Sequence, residues 1–222
     1  MSIPACEEDN AACELHCPQA KLGFYTSYGK RALDLSTSAV GLLALSPLFL
    51  AIAIAIKLTS RGRVLFRQTR IGRHGRPFSI LKFRSMYSSD ADGSVITVAG
   101  DRRVTPLGKF LRRFKLDELP QLWNVFRGEM SLVGPRPEVS VYVAHYTPKQ
   151  RVVLSVRPGI TDPSSLAYRH EEALLEAATD PECFYRMHIL PDKLARSSAY
   201  LQNISFSGDL RIILQTLGSF LF

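Results

Sequence analysis

An uncharged apolar run, residues 35–56 (LSTSAVGLLALSPLFLAIAIAI), carries a Ser46-Pro47 pair near its middle. As one straight helix the run would be roughly 33 Å long, enough to cross the ~30 Å hydrocarbon core of a bilayer. Pro47 has no amide hydrogen to donate to the Leu43 carbonyl, so we expect a bend there, with the Ser46 hydroxyl satisfying the freed carbonyls. This run constrains the fold most, because lipid or protein must cover it.

Both flanks of the apolar run are basic, with Lys30 and Arg31 before it and Lys57, Arg61 and Arg63 after it. Because positive charge tends to stay on the cytoplasmic side, both ends are expected on that side. We therefore predict a re-entrant membrane helix over residues 29–58, broken at Ser46 and Pro47. A single kinked span and a helix buried in a protein core remain open alternatives.

The remaining composition favours anionic partners. The chain has 222 residues and a net charge of +8. No acidic residue occurs between Asp34 and Asp90, an interval that holds nine lysines and arginines. This basic excess indicates nucleic acid, acidic lipid or a phosphorylated small molecule as the partner.

Residues 1–28 are predicted to form an N-terminal tail. They contain Cys6, Cys13 and Cys17, but the spacing matches no standard zinc pattern and forms no disulfide framework. The first thirty residues are acidic and polar, so no cleavable signal is expected.

Residues 59–222 are predicted to form a compact domain that begins with a β-hairpin. Residues 63–72 and 76–86 alternate in character and flank the turn GRHG. Thr105-Pro106 is a helix start, and the stretches 170–190 and 191–205 are interpreted as helices. Residues 209–222 are amphipathic and predict a helix lying at a membrane surface.

The stretch LDELPQLWNVFRG, residues 116–128, sets two carboxylates directly after a basic segment. We expect Asp117 to cap a helix that ends at Gly128, where the helix dipole and nearby cations favour ionised Asp117 and Glu118. Ionised carboxylates among arginines can coordinate Mg²⁺ or attack phosphorus, although the pair is equally typical of an ordinary helix cap. Arg136, held between two prolines, suits bidentate phosphate binding.

Four linked motifs resemble the bacterial sugar transferase family, the monotopic phosphoglycosyl transferases, over about Lys30 to Thr161. They are KRALDLSTSAVGLLALSPLFL, FRQTRIGRHGRPFSILKFRSM, RVTPLGKFLRRFKLDELPQLWNVFRGEMSLVGPRPE and RPGIT. The chain resembles the small, catalytic-domain-only form of that family. The resemblance implies transfer of a phospho-sugar from a UDP-sugar to polyprenyl phosphate, with Mg²⁺, at the cytoplasmic face of the bacterial inner membrane.

The resemblance also assigns roles to individual residues. Ser46 and Pro47 match the break in the family's re-entrant helix. Asp117 matches the nucleophile and Glu118 its acidic partner, both at the Mg²⁺ site. Positively charged family positions around the phosphates are matched by Lys82, Arg84, Arg112 and Arg136, with Arg169 as a further candidate.

The chain departs from the family after RPGIT, where many relatives have glycine and then an aromatic or aliphatic residue. Here Asp162-Pro163-Ser164-Ser165 follows instead. The identity of the sugar is therefore the property that transfers least well from the family to this chain.

We predict a mainly helical α+β fold, in which a re-entrant membrane hairpin joins a cytoplasmic catalytic domain with amphipathic interfacial helices. The expected partners are a UDP-sugar, polyprenyl phosphate and membrane lipid, with no nucleic acid and with a homodimer left open. The alternative is a non-enzymatic basic protein bound to a membrane surface or to nucleic acid. That class requires exposed aromatics among the basic residues, whereas here the aromatics mostly fall on apolar helical stripes.

Overall fold

The computed structural model describes residues 25–87 and 100–221, so the predicted N-terminal tail with its three cysteines lies almost wholly outside the described residues. The helices in chain order are α1 (Lys30–Ala44), α2 (Ser46–Thr59), α3 (Pro106–Arg113), α4 (Gln121–Arg127), α5 (Ser140–Val143), α6 (Pro163–Ala167), α7 (Glu171–Glu176), α8 (Pro181–Phe184), α9 (Leu190–Gln202) and α10 (Phe206–Leu221). The strands are β1 (Leu65–Ile71), β2 (Pro77–Phe83), β3 (Ser131–Val133) and β4 (Gly159–Thr161). The predicted mainly helical α+β class is confirmed.

The apolar run forms two helices that meet at the predicted break. A π-helical turn, Tyr25–Gly29, leads into α1. The two arms are bent by 59° relative to each other, and Pro47 lies in the first turn of α2. The Ser46 hydroxyl donates to the Leu43 carbonyl at 2.8 Å, as predicted. In the described ranges no helix alone has the length and apolar character to cross a membrane, but these two pass that test as a bent pair.

Most large apolar side chains of this bent pair are not covered by protein. Val40, Leu43, Leu50 and Leu58 are each more than 60% exposed. Within α2 the buried side chains are Ile52 and Ile56, which pack beside Phe83 and Leu111. So much apolar exposure does not fit a helix buried in a protein core.

The predicted β-hairpin is confirmed. Strands β1 and β2 pair in antiparallel register, with Leu65 opposite Phe83 and Ile71 opposite Pro77. The turn passes through His74 and Gly75, whose φ angles are 59° and 73°. Ile80 and Phe83 of β2 are both buried, and they pack in two different core clusters because side chains three apart on a strand point to opposite faces.

A second, parallel sheet was not predicted. Strands β3 and β4 pair Ser131 with Gly159 and Val133 with Thr161, so the motifs SLVGPRPE and RPGIT lie side by side. A Cβ on Gly159 would lie 2.1 Å from the backbone nitrogen of Gly134, which explains the glycine at this crossing. Three-residue strands carry too little periodicity to be recognised in a sequence.

The C-terminal third supplies most of the main core. The stretch predicted as one helix over 170–190 is divided at Asp180, whose carboxylate accepts from the backbone N–H groups of Glu182 and Cys183 and starts α8. Helix α10 is tied down by Asp209, which is 1% exposed and accepts from the Tyr200 hydroxyl at 2.6 Å. Its outward face carries exposed apolar side chains: Phe206, Leu210, Leu214 and Leu217.

Candidate active site

Strand β2 and helix α4 bring Lys82 beside Glu118. The buried Asn124 side chain of α4 accepts from the Leu81 backbone N–H at 3.1 Å and donates to the Ser79 carbonyl at 2.8 Å. These two hydrogen bonds hold β2 against α4, so Lys82, the next residue of the strand, lies beside the turn that contains Glu118. Lys82 Nζ consequently donates to Glu118 Oε1 at 2.7 Å.

The loop after β3 brings Arg136 to the same carboxylate. The Gly134 N–H donates to the Thr161 carbonyl, and the Gly159 N–H donates to the Pro135 carbonyl, both at 3.0 Å. These bonds and the two flanking prolines restrict the backbone of the loop. Arg136 Nη2 donates to Glu118 Oε1 at 2.7 Å, and Nη1 lies 3.4 Å from Oε2.

Glu118 is therefore a buried carboxylate held between two cations. Burial acts to raise its pKa, but the charges of Arg136 and Lys82 outweigh burial and hold the pKa well below its ordinary range. The charge of Glu118 in turn raises the pKa of Arg136. The surroundings thus favour the ionised form of Glu118, as the sequence predicted.

Asp117, the adjacent residue, has a different environment. It lies in a 3₁₀ turn, Leu116–Glu118, and is 6% exposed. Its Oδ1 is buried and accepts no hydrogen bond from any residue in the described ranges. Burial raises the pKa of Asp117, and the charge of Glu118 adds to that rise. Smaller opposing effects come from Lys82, Lys115 and Arg112.

Two predictions about Asp117 are therefore wrong. Asp117 does not cap α4, whose N-cap position is taken by Pro120 with no side-chain cap. The cap is lost because Lys115, with φ of 53°, turns the chain into a separate 3₁₀ turn before the helix begins. The surroundings also raise the pKa of Asp117 rather than lowering it, because burial and a like charge outweigh the neighbouring cations.

Asp117 and Glu118 provide carboxylate oxygens, the kind of ligand that Mg²⁺ prefers. The described part of the chain has no group of three or more His, Cys, Asp or Glu side chains placed to hold a metal. Mg²⁺ often binds through one or two carboxylates and completes its coordination with water and substrate phosphate. The buried Oδ1 of Asp117, which lacks a partner among the described residues, fits that role.

The other predicted phosphate-binding cations are more dispersed. Arg84 donates to the carbonyls of Ser60 and Arg61, both at 2.8 Å, so its guanidinium is engaged at the end of α2. Arg112 donates to Ser85 Oγ at 3.0 Å, and its charge favours ionised Asp117.

Arg169 follows α6, is exposed, and has no hydrogen bond or ion pair to the described site residues. Lys82 and Arg136 are the predicted cations that directly contact the carboxylate pair.

Two site residues were missed by the sequence analysis. Gln121 is 1% exposed, and its Nε2 has no partner within the described ranges, which leaves a second orphan polar atom in the turn after Asp117. Lys115 contributes charge to both carboxylates and adopts a left-handed backbone, a strained conformation for a lysine. The sequence carries no local signal for either property.

The departure after RPGIT has a structural explanation. Asp162 is fully buried and accepts from the Ser165 backbone N–H at 2.7 Å, which caps α6. It also accepts from the hydroxyls of Ser164 and Ser197, so it ties α6 to α9.

Two buried carboxylates lie side by side here, one held by two cations and the other with an oxygen that has no partner among the described residues. This arrangement is suited to phosphate chemistry. Beside it lies an exposed apolar helix pair. The bacterial sugar transferase family matches the chain over residues 25–222.

Named relatives agree with this match. A UDP-glucose:undecaprenyl-phosphate glucose-1-phosphate transferase of Caulobacter vibrioides is 40% identical over 197 residues, which are 86% of this chain and 69% of the relative. The exopolysaccharide production protein PSS of Rhizobium leguminosarum bv. phaseoli is 38% identical over 86% of this chain and 94% of its own length.

The chain spans 43% of a third relative, the UDP-N-acetylgalactosamine-undecaprenyl-phosphate N-acetylgalactosaminephosphotransferase of Aeromonas hydrophila, at 36% identity.

The chain belongs to the bacterial sugar transferase family, which confirms the resemblance seen in the four motifs. The relatives' names state the predicted reaction class, transfer of a sugar phosphate to undecaprenyl phosphate. They favour an enzyme over a non-enzymatic binding protein.

Proposed function

We propose that this protein transfers a phospho-sugar from a UDP-sugar to undecaprenyl phosphate, starting the synthesis of a bacterial glycoconjugate such as an exopolysaccharide. The observation that carries the proposal is the difference between the two adjacent carboxylates. Glu118 is neutralised by Lys82 and Arg136, whereas Asp117 keeps an oxygen with no partner in the described structure. The names of the relatives supply the substrate class.

In the first step a carboxylate oxygen of Asp117 attacks the sugar-bearing phosphorus of the UDP-sugar. A bond forms between that oxygen and phosphorus, the phosphoanhydride bond to the uridine half breaks, and UMP leaves. The product is an aspartyl phospho-sugar, a mixed anhydride. Asp117 must be ionised to attack, so the cations that oppose its raised pKa assist this step.

In the second step an oxygen of the polyprenyl phosphate attacks the same phosphorus. The bond to Asp117 breaks, the carboxylate is restored, and the lipid diphosphosugar is released. Because one transfer is divided into two, the two substrates need not occupy the site together.

Arg136 and Lys82 would stabilise negative charge on the phosphoryl oxygens in both steps. Asp117 and Glu118 would hold Mg²⁺. When bound, the ion would lower the repulsion between the attacking carboxylate and the diphosphate.

The lipid acceptor requires the site to lie at a membrane. The exposed apolar side chains of the bent pair α1–α2 and of α10 support a monotopic position at the cytoplasmic face of the inner membrane, with the helix pair entering and leaving one leaflet. Apolar side chains such as Leu43 and Leu58 would then be covered by lipid. Such a position would bring the headgroup phosphate of the acceptor, at the membrane surface, within reach of Asp117.

Intact-protein mass spectrometry tests the proposal. Detergent-solubilised protein is mixed with a panel of UDP-sugars and Mg²⁺, without lipid acceptor. We expect a mass increase of one phospho-sugar with release of UMP, and neither event with Asp117→Asn or with EDTA. Asp192→Asn, at a half-exposed surface ion pair, is the matched control.

Two other results would contradict parts of the proposal. If UMP appears only after polyprenyl phosphate is added, the transfer is a single step and Asp117 is a metal ligand. If no UDP-sugar yields UMP even with the acceptor, the assigned reaction is wrong.

A further inference from the structure

Arg31, one of the two basic residues before the apolar run, contacts the far end of helix α4. Its guanidinium donates to the Val125 carbonyl at 2.7 Å and to the Phe126 carbonyl at 2.9 Å. A cation bonded to the last carbonyls of a helix stabilises that end. Gly128 leaves room for this contact, since a Cβ there would lie 3.2 Å from Arg31 Nη2.

Asp34, one turn further along α1, contacts the start of strand β3. It is 2% exposed, and its Oδ1 accepts from the Leu132 backbone N–H at 2.9 Å and from Ser131 Oγ at 3.1 Å. Residues three apart on a helix share a face. The same face of α1 therefore holds α4 through Arg31 and β3 through Asp34.

These two segments carry the opposite sides of the candidate active site. Helix α4 directly follows the turn with Asp117 and Glu118, and β3 leads directly into the loop with Arg136. The Glu118–Arg136 contact joins the segments at the site, while α1 joins them at the other side. A shift of either segment relative to α1 would change the spacing between the carboxylates and the Arg136 guanidinium.

We infer that Arg31 and Asp34 are positioning residues, through which the first arm of the bent helix pair sets the spacing between the carboxylate turn and the Arg136 loop. The basic flank thus has a role besides fixing the orientation of the apolar run. The catalytic consequence of this inference rests on the proposed function, whereas the structural coupling does not.

Steady-state kinetics can distinguish a positioning role of Arg31 from a role of its charge alone. Arg31→Lys keeps the charge but loses the fork that binds two carbonyls. We expect kcat to fall about tenfold or more, because small displacements of reacting groups are costly. The KM for the UDP-sugar should stay within about twofold, since the groups that bind it remain present. Arg63→Lys, at an exposed arginine in the other flank, is the matched control and should change neither value.

Asp34 offers a rescue test. Asp34→Ala removes the acceptor and should lower kcat as Arg31→Lys does, whereas Asp34→Asn keeps an oxygen acceptor and should restore most of it. If Asp34→Asn is as impaired as Asp34→Ala, or if Arg31→Lys behaves like Arg63→Lys, the inference is wrong.

A second measurement does not depend on activity. Amide hydrogen exchange over residues 121–133 should accelerate in Arg31→Lys and Asp34→Ala, but not in Arg63→Lys. Unchanged exchange in both variants would overturn the coupling even if the enzyme is active. Accelerated exchange in the two variants, together with no transferase activity in the wild-type protein, would uphold the coupling and refute the proposed function.

Discussion

Arg136 meets Glu118 in a two-point contact, with Nη2 2.7 Å from Oε1 and Nη1 3.4 Å from Oε2. Lys82 Nζ donates to the same Oε1 at 2.7 Å, so the positive charges of Lys82 and Arg136 meet at one oxygen of Glu118. A bound diphosphate would compete with Glu118 for these donors. The contact is thus suited to a guanidinium that must hold its orientation before a substrate phosphate arrives.

Replacing Arg136 with lysine tests the importance of the planar fork. Arg136→Lys keeps the charge but loses the two-point contact, and we expect a loss of about 1.5–3 kcal/mol of charge-assisted bonding at the site. That corresponds to roughly a 10- to 150-fold fall in kcat/KM. Steady-state kinetics with UMP as readout measure it. Arg76→Lys, in the exposed hairpin turn, is the control, and a variant at position 136 as active as that control would contradict the role.

Neutralising the two adjacent carboxylates should change the stability of the protein in opposite directions. Asp117→Asn removes a buried charge whose Oδ1 has no hydrogen-bond partner in the described part of the chain, so we expect stability to rise by about 1–3 kcal/mol at neutral pH while turnover is lost. Glu118→Gln leaves Lys82 and Arg136 without their anion and should cost about 1.5–3 kcal/mol. Denaturation of detergent-solubilised protein measures both. If both variants change in stability by the same amount and in the same direction, the proposed difference between the two carboxylates is wrong.

The same asymmetry predicts the pH dependence of stability. The pKa of Glu118 is lowered on folding, so its stabilisation is present above the unfolded-state pKa of about 4.3 and is lost as pH falls through the folded value. The pKa of Asp117 is raised, so its favourable contribution is present below about 3.9 and is lost as pH rises through the folded value.

Unfolding midpoints measured from about pH 3 to 8 separate the contributions of Glu118 and Asp117 to stability. The acid-side loss of stability should shrink in Glu118→Gln, and Asp117→Asn should gain stability relative to wild type as pH rises. If Glu118→Gln loses as much stability at low pH as the wild type, Glu118 is not the group responsible for that loss.

The bend at Pro47 should decide the topology of the apolar helix pair. In a variant with its four cysteines replaced by serine, single cysteines at Tyr28 and Ser60 should both react from the cytoplasmic side of membrane vesicles. Pro47→Leu restores an amide donor and should straighten the pair, moving part of the population to a spanning form in which the two positions react from opposite sides. Opposite-side labelling with Pro47 intact would instead establish a kinked span.

Local features of the chain were predictable because neighbouring residues decide them. The break at Ser46-Pro47 follows from a missing amide donor, and the end of α4 at Gly128 follows from a left-handed residue with φ of 84°. Thr105 starts α3 by accepting from the Gly108 N–H at 2.9 Å, the cap that its position before Pro106 predicts. The motif around Asp117 and Glu118 identified the family without any structure.

The charge states and partners within the site were decided by tertiary structure alone. Glu118 is paired with Lys82 and Arg136, 36 and 18 residues away in the chain, and a pKa depends on burial and on charges that only folding brings together. The same holds for Arg84, which binds the end of α2, and for Arg31, which reaches α4 across 94 residues. Sequence thus determined which side chains are available for phosphate chemistry. Packing determined which carboxylate is neutralised and which retains an oxygen without a partner in the described ranges.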